Sequence, residues 1–175
     1  MNSAKLLADA FGRIREVVHE AAEGLTAAEL SQRLDGDANT VAWLLWHLTR
    51  IQDDHLADAS GTEQVWMTEG WADRFEASFG TALPPGSTGY GHTSAQVAAL
   101  RVDSPDLLTG YHDAVHARTT GYLGGLTDRD LDRVVDESWS PPVTLGVRLV
   151  SVVSDDLQHA GQAVFIRGVL LRRRR

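Results

Sequence analysis

The chain contains no cysteine. That absence excludes disulfides, thiolate metal sites and a cysteine nucleophile, so any metal must be held by imidazole and oxygen, and any thiol chemistry must take its sulfur from outside. No apolar run approaches the roughly 18 to 20 residues of a spanning helix, and the first residues lack the basic, apolar and small-residue order of a secretory signal. A cytoplasmic protein with no membrane contact is the expectation. Basic residues are outnumbered, 16 against 24 acidic ones, for a formal charge of -8. A surface that tracks nucleic-acid phosphates needs clustered Lys and Arg, so nucleic acid is not an expected partner. The run Arg172 to Arg175 is the exception and reads as a solvated basic tail. Also missing are a strand-like alternation of convincing length, an internal repeat, a glycine-rich phosphate loop, a nucleophile elbow and a convincing Ser-His-Asp arrangement.

What remains is helical. With 175 residues, 43% hydrophobic and 23% charged, the chain fits one globular domain over 1–171 followed by the tail 172–175. Ser3 can cap a helix with Leu7, Phe11, Ile14, Val18, Ala21 and Leu25 at three- and four-residue spacing. Thr26 and Glu29 make a capping box for a short helix that Gly36 would stop. Asn39 and Thr40 offer the next cap, for a helix over Val41–Ala59 whose first two turns have almost no polar side and should be buried on more than one face. Residues 60–92 mix Trp66, Trp71, Phe75 and Phe79 with Gly, Thr and Pro; this reads as a long excursion, of lid or binding-loop type, with one short helix near Trp71–Ser78. A short helix over Ser94–Leu100 follows. Pro105 after Ser104 opens a third long helix with Leu108, Tyr111, Val115, Tyr122 and Leu126 on its face. The last long helix runs from about Thr144 to Leu171. Four long helices with a long link between the second and third point to an all-α bundle with crossover linkage.

Chemistry concentrates on two of these helices. On a wheel the last helix shows an apolar stripe, Leu149, Val150, Val153, Leu157, Ala160 and Val164, opposite a polar one of Arg148, Ser151, Asp155, Gln158, His159 and Gln162. The polar stripe either faces water or lines a cleft in which Asp155 and His159, spaced i and i+4, grip one metal. His47 lies on the most apolar turn of the chain, where an unpaired imidazole is costly to bury and must find a backbone partner or an ion. Asp54 shares its wheel face but lies about 10 Å further along the helix, so it can line the cleft or manage protons without joining His47 around one ion. His112 and His116 form a competing i, i+4 pair. His19, His55 and His92 have no supporting constellation.

The strings Asn39-Thr40-Val41-Ala42-Trp43-Leu44-Leu45-Trp46-His47-Leu48 and Asp155-Asp156-Leu157-Gln158-His159-Ala160-Gly161-Gln162, followed by Arg167-Gly168, resemble the DinB-like superfamily, in particular its actinobacterial mycothiol S-transferase-like branch. The resemblance spans essentially the whole chain and implies a four-helix bundle of DinB/YfiT-like type. It implies that His47 supplies one metal ligand from the second long helix and that His159 supplies another from the fourth. Asp155 stands where the family pattern has the first histidine of a His-x-x-x-His pair. Two histidines and a carboxylate are a common facial set, and the oxygen ligand lowers the preference for zinc and raises that for iron, manganese or a weakly held ion, so the divalent ion implied is zinc, nickel, iron or manganese. Gln162, one turn beyond His159, is expected beside the ligands.

The function implied is transfer of a low-molecular-weight thiol such as mycothiol to an electrophilic small molecule, or a related thiol-dependent isomerisation, with the metal favouring the thiolate and substrate held under the 60–92 excursion. The alternative is a non-catalytic metal-binding or stress-response bundle. A homodimer is expected as well, since the five tryptophans and the aromatic excursion suggest more apolar surface than one bundle core hides.

Overall fold

The computed structural model describes residues 2–80, 83–84 and 86–174. In chain order its elements are α1 (Ser3–Ala22), α2 (Ala27–Leu30), α3 (Val41–Ser60), α4 (Val65–Thr68), α5 (Trp71–Phe79), α6 (Ser94–Ala99), α7 (Pro105–Gly124), a 3-10 turn (Asp128–Asp132), β1 (Val134–Asp136), β2 (Val143–Thr144) and α8 (Leu145–Arg173). Each long helix begins where a side chain takes up a free backbone N–H. Asn2 accepts from Lys5, Thr40 from Trp43, Ser104 from Asp106 and Thr144 from Val147, each cap stabilising by about 1 kcal/mol. The cap of α1 is thus Asn2, one residue before Ser3. The end of α3 is set by Gly61, whose φ of 68° lies in the left-handed region that glycine enters without strain.

The four long helices form the bundle: α3 packs along α7 and α8, α1 packs along the same two, and α1 and α3 barely meet across the diagonal. The fold is therefore all-α, with a crossover. The buried face of α1 is Phe11, Ile14, Val18, Ala21 and Ala22, and the first ten residues of α3 are buried all round, as its lack of a polar side predicts. Among the described residues no helix is long and apolar enough to cross a membrane.

The excursion is part of the core. Trp66, Trp71, Phe75 and Phe79 are buried, with Trp66 5.2 Å from the Tyr111 ring of α7 and Phe79 4.8 Å from the Trp46 ring of α3. Truncating any one of these aromatics would cost about 3–5 kcal/mol, which makes a freely swinging lid over α4 and α5 a poor description. The short helix α4 was not expected from the pattern. Its backbone N–H groups at Val65 and Trp66 are both taken up by the buried Asp53 carboxylate of α3, at 2.9 and 2.8 Å.

Other expectations need correction. Residues 134–136 and 143–144 pair as an antiparallel hairpin; strands of three and two residues are too short to show an alternation. On α8 the buried arc is Leu145, Leu149, Val152, Asp156, Ala160, Ala163, Ile166 and Leu170, while Val150 and Leu157 of the expected apolar stripe are 60% and 45% exposed. The helix is rotated because its core face is defined by two neighbours, α1 and α3, and not by its most hydrophobic edge. Only Trp139 of the five tryptophans is exposed, which removes the argument for a dimer based on tryptophans left over from the core. On α7, Tyr122 is half-buried and Leu123, His112 and Thr119 take the inner positions, while Leu126 lies beyond the helix end at Gly124 and is half-buried. Helix α8 continues through Arg173, and Arg174 pairs with Glu29, so Arg172 to Arg174 of the basic run belong to a helix end; Arg175 lies outside the described residues.

Candidate metal centre

The rotation of α8 carries its Asp155–His159 edge to the seam with α3. There one ligand atom each from His47, Asp155 and His159 lies within 4.8 Å of the others. An ion with bonds of about 2.1 Å to nitrogen and oxygen needs ligands within about 4.2 Å of one another, slightly inside the span that these three atoms share. His47 is 5% exposed. His159 and Asp155 are half-buried, their side chains 20% and 39% exposed.

The polar atoms of this group are poorly served by the protein itself. Asp155 Oδ2 and His159 Nδ1 are buried without a hydrogen-bond partner among the described residues, and His159 Nε2 stands 3.6 Å from Asp155 Oδ1. Buried polar atoms are otherwise nearly always paired. An ion held here would take one ligand atom from each of the three residues, and two imidazoles with a carboxylate are a donor set that fits a divalent metal.

The imidazole of His47 is held on two sides. Trp43 stacks on it at 4.5 Å between ring centroids and 16° between planes, and the Thr88 carbonyl accepts from Nδ1 at 2.5 Å. A carbonyl only accepts, so Nδ1 carries the proton and Nε2 keeps its lone pair for a ligand bond. Burial pushes the His47 pKa below its ordinary value, against a smaller opposing effect of the Thr88 bond. The ring is thereby kept neutral, the form that binds metal.

His92, which sequence reasoning left unassigned, belongs to the same surroundings. Trp43 Nε1 donates to its Nδ1 at 3.2 Å, Trp46 stacks on it at 5.8 Å, and its Nε2 lies 3.2 Å from Ser87 Oγ. The signal was the Gly89-Tyr90-Gly91-His92 string, in which Gly89 and Gly91 both take positive φ; what that turn packs against could not be read locally. Farther along the same seam, Arg148 lies 3.2 Å from His55 Nδ1 and pairs with Asp136 at 2.7 Å. Burial first, and then the Arg148 charge, lower the His55 pKa.

The remaining candidates lie elsewhere. Asp54 accepts from Gln64 at 2.7 Å and lines a groove of about 470 Å³ with Asp58, Glu63 and Met67; it is not one of the three converging side chains. Gln162 is exposed and borders a separate apolar groove with Leu44, Phe165 and Ile166. His112 is fully buried in the α3–α7 seam, where its Nδ1 meets Thr49 Oγ1 at 3.1 Å. Among the described residues, neither His112 nor His116 joins a group of three metal-ligating side chains.

Comparison with known proteins agrees with this architecture. A solved structure described as the conserved protein of a locus from Enterococcus faecalis is similar to the chain, with 31% identity, a TM-score of 0.85, and coverage of 95% of this chain and 96% of that one. No curated protein matches. Residues 10–163, which run from α1 past both halves of the His47, Asp155 and His159 group, match the family described as the DinB superfamily, and the chain belongs to that superfamily.

Proposed function

We propose that the protein is a metal-dependent transferase of the mycothiol S-transferase-like kind, joining a low-molecular-weight thiol to an electrophilic small molecule or using that thiol in an isomerisation. The observation that carries this reading is the convergence of His47, Asp155 and His159 at the α3–α8 seam, where Asp155 Oδ2 and His159 Nδ1 have no hydrogen-bond partner among the described residues. A divalent ion held there supplies Lewis acidity that favours a thiolate at neutral pH. The chain's own contribution is positional. His47 presents Nε2, Asp155 brings a negative charge from α8, and the stacked Trp43 and the Thr88–Gly89 backbone keep water from the far side of His47. The lack of cysteine fits a reaction whose sulfur arrives with a cosubstrate.

Support for self-association comes from α8, whose outward side carries Val147, Val150, Leu157 and Phe165 at 45 to 65% exposure. A homodimer burying that stripe belongs to the same proposal.

The test is metal analysis of the purified protein followed by a conjugation assay with monochlorobimane and mycothiol. A bound divalent metal and a chelator-sensitive rate above the uncatalysed reaction are expected. Metal without any thiol-dependent rate would favour a metal-binding bundle with no transferase activity, and no metal at all would overturn the reading.

A further inference from the structure

A strap from the excursion lies over the metal centre's α3 ligand. In it, Gly89 is buried with a φ of 91°, and a Cβ there would sit 2.8 Å from His47 Nδ1 and 2.8 Å from the Trp46 ring. The strap's backbone therefore rests directly on both rings, with room for hydrogen only. Its preceding residue provides the Thr88 carbonyl that accepts from His47.

Nearly one turn along α3 from His47, Arg50 grips the same strap from below. Arg50 is fully buried, and its Nε donates to the Ser87 carbonyl at 3.0 Å. Its remaining nitrogens are occupied by Gln64 Oε1 at 2.8 Å, Tyr111 Oη at 3.1 Å and Asp53 at 3.4 Å, while the guanidinium lies 4.7 Å from the centre of the Trp66 ring. A planar fork with five donors can hold all of these at once, which a lysine could not. The group that grips the strap is itself immobilised by α3, α4 and α7.

A metal-ligating imidazole depends on the partner of its other nitrogen, because that bond selects the tautomer and the ring orientation. We propose that Arg50 is a positioning residue of the metal centre: by fixing Ser87–Gly89 it keeps the Thr88 carbonyl on His47 Nδ1 and so leaves Nε2 as the nitrogen free to bind an ion. The inference rests on the metal-site reading above, and it makes the excursion part of the centre's support.

The experiment reads the His47 tautomer by nitrogen-15 NMR in the metal-free protein at pH 8, and separately the affinity for cobalt(II). Arg50→Met should mix the Nδ1–H and Nε2–H forms and weaken cobalt binding about ten- to a hundredfold, the range seen when such supporting bonds are removed. Tyr111→Phe removes one partner of Arg50 without touching the strap; it should lower the melting temperature and leave both the tautomer and the affinity as in wild type. If Arg50→Met keeps the wild-type tautomer and affinity, or if Tyr111→Phe disturbs both as much, the positioning role is overturned. Should Arg50→Met fail to fold, Gly89→Ala carries the test, since its methyl must lift the strap from His47 and produce the same two changes; unchanged tautomer and affinity there would equally overturn the proposal. Failure of the wild type to bind cobalt would sink the metal-site reading, while the tautomer measurement would still judge the strap.

Discussion

Helix α3 carries two buried polar flanks that treat their polar atoms in opposite ways. Toward α4 and α7, Asp53 accepts from Val65 N, Trp66 N and Tyr111 Oη, and Arg50 donates to Ser87, Gln64, Tyr111 and Asp53. Toward α8, Asp155 Oδ2 and His159 Nδ1 have no hydrogen-bond partner among the described residues. The Arg50–Asp53 network on the first flank is fully partnered and holds the excursion on the bundle; the Asp155–His159 group on the second has polar atoms left over. Orphan atoms alone do not distinguish a site, since His112 Nε2 and Gln52 Oε1 are also unpaired near the first flank. The difference is convergence. Among the described residues, three metal-ligating side chains meet only at the α8 seam.

The contrast breaks most visibly at Asp53. Asp53→Ala leaves Arg50 buried beside no carboxylate, and loss of one partner from a buried pair destabilises by about 3–5 kcal/mol. Urea unfolding should show that loss, and a loss below about 1 kcal/mol would mean that the Arg50–Asp53 network does not hold the excursion on the bundle. A second test uses acid. Burial lowers the pKa of His112 to about 3, so in mild acid the unfolded state takes up a proton that the folded state refuses. Stability from this residue is full above about pH 6.5 and is lost as the pH falls toward 3, by about 2 kcal/mol at pH 5. Unfolding at pH 7 and pH 5 should show His112→Gln losing less stability than wild type over that interval by roughly this amount; identical losses would contradict the buried neutral ring. The smallest effect on folding is expected on the outer side of α8. Phe165→Asp should change stability by no more than about 0.5 kcal/mol yet shift sedimentation from dimer toward monomer; an unchanged sedimentation coefficient would remove the α8 stripe as the contact.

Much of this was legible in the sequence where a local rule governs. The cap at Thr40, the start of α7 after Ser104, the all-round burial of α3 and the short helix at Trp71 follow from side chains within a turn of where they act. The phase of α8 was not legible, because Val150, Leu157 and Phe165 make its outer side look like a core face. Only the positions of α1 and α3 decide which arc is inside. Asp155 and His159 were identifiable by spacing, but their meeting with His47 depends on that rotation. Arg50 and Asp53 stayed hidden for a different reason: a charged pair three residues apart on a helix ordinarily faces water, and its burial here is created by the excursion. The strap over His47 was equally invisible, since Gly89 reaches that ring from 42 residues away along the chain.

Asp155 gives the most direct test of the claim that the α3–α8 flank is a metal centre. In chelator, Asp155→Ala should melt like wild type, because Asp155 Oδ2 has no hydrogen-bond partner among the described residues and Oδ1 stands 3.6 Å from His159 Nε2, beyond hydrogen-bond distance. With divalent metal at a hundredfold above the dissociation constant, the wild type should gain about 2.7 kcal/mol. Asp155→Ala should lose that gain and its metal on dialysis, while Asp155→His, with a third imidazole, should keep both and bind zinc more tightly. The measurement is metal content after dialysis, paired with thermal unfolding with and without chelator, for all three proteins. Equal metal content and equal melting in the three would contradict the assignment of Asp155 and with it the three-residue centre.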